Sequence, residues 1–302
     1  MPLSRRAFLS TAATAPLLAR FAMGAEGTKP GGQADSELPP PLYYLSMNLE
    51  IMFPRSMPYE DRIVQVAKCG AKHFGFWGHK GKNLDRMLEA QHKHGLSCAS
   101  ITGAPRTGNS TGLTMTGKEQ AFLDDFAEAC KVANRFGADN LITFVGKVQP
   151  DIAPETQHEQ IIAGLKKAGE IAREHKVYLT LEPLNRIESP QMTMVTSADA
   201  FRYATEADHP HVKVDFDIYH RQLGEGNVIN TLADGLKRGL VRFVEVGDVP
   251  GRKEPGSGES NYANIFRLLR KARYAGAIGM EHGSTKDPQH AWNMVKTLAG
   301  LD

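Results

Sequence analysis

From Tyr43 onward, short apolar runs alternate with longer stretches in which apolar residues recur at helical spacing. The short runs predict strands at Tyr43–Asn48, His73–Phe76, Leu96–Ile101 and Asn140–Phe144. A second set follows at Val177–Glu182, Val212–Asp217, Val241–Val246 and Ala277–Met280. The periodic stretches predict helices, most clearly over Lys118–Phe136, Glu155–His175, Ser197–Glu206 and Tyr262–Ala275. Gly70, Gly95, Gly137 and Gly276 stand just before strands, where a chain leaving a helix favours glycine. Eight strand–helix units over residues 42–302 predict an α/β fold, a (β/α)8 TIM barrel in one domain. A doubly wound open sheet is the alternative, and the lack of GxGxxG after the first strand counts against it.

The segment before the barrel has another character. Ser4-Arg5-Arg6-Ala7-Phe8-Leu9 has the pattern of a twin-arginine export signal, followed by a modest apolar stretch and small residues near Ala25. Residues 1–25 are expected to direct export, giving a periplasmic or secreted protein, and residues 26–41, rich in Gly and Pro, to form a linker. Arg20 interrupts the apolar run, so no membrane span is expected there. Lys plus Arg is 36 against Asp plus Glu at 34, which gives no field favouring nucleic acid or acidic lipid. Cys69, Cys98 and Cys130 have no CxxC spacing, so they are expected in the core rather than in a disulfide or a zinc–thiolate site.

The candidate chemistry lies at strand ends. In a TIM barrel the residues at strand C-termini face the active-site mouth. Glu182, Asp217, Glu245 and Glu281 fall at the ends of predicted strands five to eight. Adjacent strands lie about 5 Å apart, so these side chains can converge on one point. Unpaired carboxylates repel one another in a poorly hydrated site. A divalent cation with oxygen ligands relieves that repulsion, so Mn²⁺ or Mg²⁺ is the expected cofactor. Asp215 shares a strand face with Asp217 and competes with it as a ligand; position nearer the mouth favours Asp217. His220, in the loop expected after strand six, is a candidate hydrogen-bond donor to substrate oxygen. Arg252, in a Gly- and Pro-shaped loop, is a candidate to fork onto a substrate carboxylate or hydroxyl.

At these residues the chain resembles a known group. Asn48-Leu49-Glu50-Ile51-Met52-Phe53, Glu182-Pro183-Leu184-Asn185, Asp217-Ile218-Tyr219-His220 and the run from Pro250 to Glu259 look like the hydroxypyruvate isomerase family. That family is one of the xylose-isomerase-like TIM barrels. Glu182 to Glu188 is also similar to the ketose 3-epimerases. The resemblance implies a metal held by Glu182, Asp217, Glu245 and Glu281. It implies proton exchange with substrate by Glu182 and Glu281, and substrate oxygens held by Glu188, His220 and Arg252. Position 245 is usually glutamine in the isomerases and histidine in the epimerases, so glutamate here favours a hard ion. Phe74 to Lys80 matches neither relative closely and implies a different specificity pocket.

The expected function is therefore metal-dependent isomerisation of a small hydroxy-keto acid or keto sugar through an enediolate. An exported ketose 3-epimerase or keto-glycoside lyase is the alternative, because all three reactions pass through the same anion. An endonuclease-four-type nuclease shares the Asp-x-x-His spacing of Asp217 and His220. It needs a further Asp-x-His motif after strand seven that is missing here, so no nucleic-acid partner is expected. A non-catalytic sugar-binding barrel would need no matched carboxylate pair. Assembly into a homo-oligomer is compatible with everything above.

Overall fold

The computed structural model describes residues 38–104 and 112–302. The expected export signal, and the linker as far as residue 37, lie outside them. The barrel expectation holds: eight parallel strands close in sequence order, the last pairing with the first. The strands are β1 (Tyr44–Asn48), β2 (His73–Phe76), β3 (Ser97–Thr102), β4 (Asn140–Thr143), β5 (Tyr178–Leu181), β6 (Val212–Asp217), β7 (Val241–Val246) and β8 (Ala277–Met280). The helices are α1 (Tyr59–Lys68), α2 (Leu84–His94), α3 (Glu119–Phe136), α4 (Pro154–His175) and α5 (Ser197–Ala207). After β6 come α6 (Ile218–Gly224), α7 (Val228–Lys237), α8 (Tyr262–Lys271) and α9 (Pro288–Leu298). Among the described residues no helix is long and apolar enough to cross a membrane.

Alternation along the strands sorts the two faces. Leu179 and Leu181 of β5, Val212, Val214 and Phe216 of β6, and Ile278 and Met280 of β8 are buried in the large cluster shared with the helices. The intervening positions (Thr180, Asp215, Asp217 and Gly279) belong to the opposite, inward set. A second, smaller apolar cluster includes Ile142, Phe243 and Ala277, with Tyr44 packed against it. Each fully buried aliphatic or aromatic side chain contributes roughly 1.5–3 kcal/mol, so the apolar clusters supply the stability against which polar inward positions are held.

One stop signal recurs. Helices α1, α2, α3, α4, α7, α8 and α9 all end with paired backbone bonds of the Schellman type, for example Leu96 N to Gln91 O and Gly95 N to His92 O. Gly70, Gly95 and Gly137 take the left-handed conformation there, as expected. Gly276 does not, which corrects the sequence reading. Helix α8 stops at Lys271, and Arg273, at φ 55°, takes the left-handed position instead. The turn carries Tyr274 inward, where its hydroxyl donates to Ala277 O at 2.8 Å. Gly276 is required for another reason: a Cβ there would stand 2.4 Å from that hydroxyl. All three cysteines are free and buried, as expected of core residues.

Candidate active site

The four expected acids meet. One carboxylate oxygen from each of Glu182, Asp217, Glu245 and Glu281 lies within 4.8 Å of the others, and all four residues are buried. Glu182 directly follows β5, Asp217 ends β6, Glu245 stands in β7 and Glu281 directly follows β8. Strand register aligns them: Asp217 pairs with Glu245, and Glu245 with Gly279. Gly279 makes room for the cluster, since a Cβ there would lie 2.9 Å from Glu245 Oε1 and from the Phe243 ring.

Burial sets the electrostatics. Desolvation, then the Glu281, Asp215 and Asp217 charges, raise the Glu182 carboxyl well above its ordinary pKa. Glu245 is raised likewise, by desolvation and then by Asp215 and Glu281. Among the described residues, both oxygens of Asp215 and Oε2 of Glu245 are buried without a donor within hydrogen-bond distance. Arg252 brings positive charge directly onto the acids. Its Nη2 donates to Asp217 Oδ2 at 2.8 Å and to Glu281 Oε2, and its Nε donates to the Glu281 backbone oxygen at 3.0 Å. Burial works against the arginine charge, but Glu281, Asp217, Glu182 and Glu245 outweigh it and raise its pKa. Arg252, a candidate to hold substrate, lines the same cavity as Glu182 and Glu281 while its donors reach the acids.

The residues fit a hard divalent ion. The donor set is all oxygen, the spacing suits oxygens around one such ion, about 4–5 Å across, and buried oxygens remain unmatched. Glu182, Asp217, Glu245 and Glu281 would hold it. Asp215 stands outside that set of converging oxygens, in keeping with its greater depth below the mouth.

The arginine arrives through a built loop. Asp248 Oδ1 accepts from Val249 N and Ser260 N, and its Oδ2 from Gly256 N and Gly258 N, so residues 248–260 wind around one buried carboxylate. Glu254 accepts from Thr285 N at 2.8 Å and ties this loop to the one after β8. Arg252 itself sits at φ 51°, in a left-handed conformation held by its guanidinium bonds and by Gly283 N donating to its carbonyl.

His220 is not in a loop, which corrects the expectation. Helix α6 begins directly after β6, with Asp217 as its N-cap accepting from Tyr219 N at 2.7 Å and His220 N at 3.4 Å. His220 is thereby buried in the first turn, and burial lowers its pKa to about 4. Its tautomer follows from Asn185. The Asn185 Oδ1 accepts from Ile187 N and Glu188 N, which leaves Nδ2 to donate to His220 Nδ1 at 2.7 Å. The imidazole proton therefore resides on Nε2, which lies 3.6 Å from both Glu182 Oε1 and Asp217 Oδ2. Asn185→Leu is expected to leave the ring as a mixture of tautomers, whereas the parent protein is expected to show only Nε2–H by ring-nitrogen NMR. A single Nε2–H form in the variant would assign the orientation to other contacts.

Glu188 stands at the rim, accepting from the Tyr219 hydroxyl at 2.7 Å and from Asn185 Nδ2 at 3.0 Å. With Glu182, His220, Arg252 and Glu281 it lines a cavity of about 140 Å³, walled by Ile142, Phe144 and Leu184. Three side chains escaped sequence reasoning. Trp77, just after β2, donates from Nε1 to Glu281 Oε1 and lines the cavity. Asn48, at the end of β1, donates to the same oxygen at 3.3 Å. Arg221, fully buried in α6, donates to the Pro183 and Leu184 carbonyls that follow Glu182. Strand-end position was the available signal for Trp77 and Asn48; Arg221 has none, because its targets are backbone atoms 37 and 38 residues away in the chain.

Comparison with known proteins agrees with this fold. The model of the xylose isomerase-like TIM barrel family matches residues 63–297. The chain belongs to that family. Among curated relatives of this xylose isomerase-like barrel, hydroxypyruvate isomerase of Escherichia coli is 25% identical over 78% of the chain and 92% of its own length. The 2-oxo-tetronate isomerase of Haemophilus influenzae is 28% identical over 78% of the chain and 91% of its own length. Two solved structures share the fold. A family 2 AP endonuclease from Brucella melitensis superposes with TM-score 0.78 at 22% identity, over 84% of this chain and 98% of that one. The 3-keto-D-glucoside 4-epimerase of E. coli gives 0.68 at 21% identity, over 85% and 99%.

Proposed function

We propose that this xylose isomerase-like barrel is an isomerase of a small hydroxy-keto acid or keto sugar, working by proton transfer between adjacent carbons. The observation that carries the reading is the pairing of Glu182 and Glu281, two buried carboxylates facing one small cavity from strands β5 and β8. The names of the relatives, hydroxypyruvate isomerase and 2-oxo-tetronate isomerase, support the substrate class. So does size: at roughly 30 Å³ per water, 140 Å³ holds about five water-sized groups, enough for a short acid.

The two glutamates are not equivalent. Glu281 is held by donors from Asn48, Trp77 and Arg252, which stabilise its ionised form. Glu182 makes no side-chain hydrogen bond among the described residues, and burial favours its protonated form. Such a pair suits removal of a proton from one carbon by the ionised Glu281, which keeps it, and delivery of a second proton to the neighbouring carbon by the protonated Glu182, the two carboxyls then re-equilibrating with solvent. His220 directs its Nε2–H into the same space and would hold a substrate oxygen; Glu188, anchored by Tyr219, would accept from a substrate hydroxyl. A bound divalent ion, Mn²⁺ or Mg²⁺ by the hardness of its oxygen ligands, supplies positive charge beside the substrate's carbonyl and hydroxyl oxygens and so acidifies the C–H.

Incubation in D2O with Mn²⁺ and hydroxypyruvate, D-fructose, D-tagatose or a 3-keto-glycoside tests this. Deuterium uptake with a shifted carbonyl is the expected outcome for at least one of them by NMR. Uptake with inversion at a single carbon would mark an epimerase, loss of a β-substituent a lyase, and exchange with none of the four would sink proton transfer on these substrates.

A further inference from the structure

The reaction cavity has a neighbour. Trp77 and Thr102 line both it and a second cavity of about 300 Å³. The walls of the second come from the segments after β1 and β2 and from α3, with Glu50, Lys80, Lys82 and Asp125 as its charged groups. Each charge is matched inside the cavity. Lys82 pairs with Glu50 at 3.1 Å, and Lys80 with Asp125 at 2.8 Å. Two ammonium groups and two carboxylates leave no net field to draw in a phosphate or an acid. Lys82 is engaged with Glu50 and with the Trp77 and Gly78 carbonyls, whereas Lys80 and Asp125 present a donor and an acceptor side by side, next to an indole and to small residues such as Gly103 and Ala129.

That combination is the one a neutral polyhydroxylated ring requires. Hydroxyls both donate and accept, and the C–H face of a sugar packs on an aromatic wall. Volume agrees: at roughly 30 Å³ per water, 300 Å³ holds about ten water-sized groups, close to a hexose ring and well beyond a three-carbon acid. We propose that the second cavity is a subsite for a neutral sugar ring. The substrate is then a ring-bearing keto compound whose carbonyl end enters the first cavity. This rests on reading the first cavity as the proton-exchange site. Trp77 would couple the two, since its Nε1 donates to Glu281 while the same residue walls the subsite. Binding free energy from the distal ring would thus be felt at a proton-exchanging carboxylate.

The full chain is titrated with methyl β-D-glucopyranoside, a neutral ring with no carbonyl to react, and binding is followed by saturation-transfer NMR. Saturable binding is expected, weakened at least tenfold by Trp77→Leu and by Asp125→Leu, and not displaced by hydroxypyruvate. The Asp125 variant, on a partly exposed helix position, keeps the result readable should Trp77→Leu misfold. No saturable binding up to roughly 100 mM, a very weak affinity, would overturn the subsite. Equal binding in both variants, or full displacement by hydroxypyruvate, would overturn it too. Turnover is not read, so this result and the deuterium-exchange result can fail separately.

Discussion

Glu182→Gln is expected to lower solvent-proton exchange by roughly 10²–10⁴-fold, the usual contribution of a positioned acid or base. The same substitution is expected to raise the melting temperature of the metal-free protein by a few degrees. Both effects have one origin. Glu182 is buried beside Glu281, Asp215 and Asp217, and both desolvation and their charges oppose its ionised form. Glutamine keeps the shape and removes the charge, so a site strained for chemistry relaxes as it loses activity. Deuterium exchange and calorimetry on the same preparations check the pair of outcomes. Unchanged exchange would remove Glu182 from the reaction, and a lower melting temperature would show that the carboxylate stabilises the fold more than its repulsion disturbs it.

The second large effect concerns Arg252. It holds Asp217 and Glu281 together, and Arg252→Met would leave both as uncompensated buried charges. Breaking such a pair from one side costs about 3–5 kcal/mol, and a side chain 23% exposed places the expectation at the lower end. At roughly 2–4 °C per kcal/mol for a chain of this size, the metal-free variant is expected to melt about 6–12 °C lower. Mn²⁺ is expected to restore most of that loss, because it brings positive charge to the same oxygens. Arg252→Lys is expected to recover less, since an ammonium cannot reproduce the planar fork that reaches Asp217, Glu281 and a backbone carbonyl together. A metal-free Met variant as stable as its parent would mean that the acids are neutralised some other way.

What the sequence made legible and what it hid follow from range. The eight strands were readable because each is a short apolar run, most of them preceded by a helix stop, and strand and stop are local signals. The four acids were readable because a charge closing an apolar strand is unusual, and the barrel sends every strand end to one rim. The same rim position brings Asp217, and not Asp215, into the converging set of oxygens. Arg252 was found, but its partners were not: its aim depends on a loop wound around Asp248, whose bonds run to four backbone amides up to 12 residues away. His220 reads as a loop residue from the sequence because its helix follows the strand with no intervening residue. The cap is Asp217 itself, which serves strand, helix and cluster at once. Trp77 reads as one more aromatic in an apolar segment, and only the closed ring of strands brings β2 round to Glu281, 204 residues later. The Gly276 expectation failed because a local stop rule was applied where Tyr274 packing governs the chain.

The acids come from β5 to β8 in succession, while β1 to β4 and the segments after them bring Asn48, Trp77, Thr102, Ile142 and Phe144. On the function proposed above, the barrel divides its labour into a reactive semicircle and a selective one. Variation confined to the selective half can retune which molecule is accepted while the proton-moving groups stay untouched. A library restricted to residues 78–82 and 125–129, which leaves the Trp77 bond to Glu281 in place, would sample new substrates without first dismantling the chemistry.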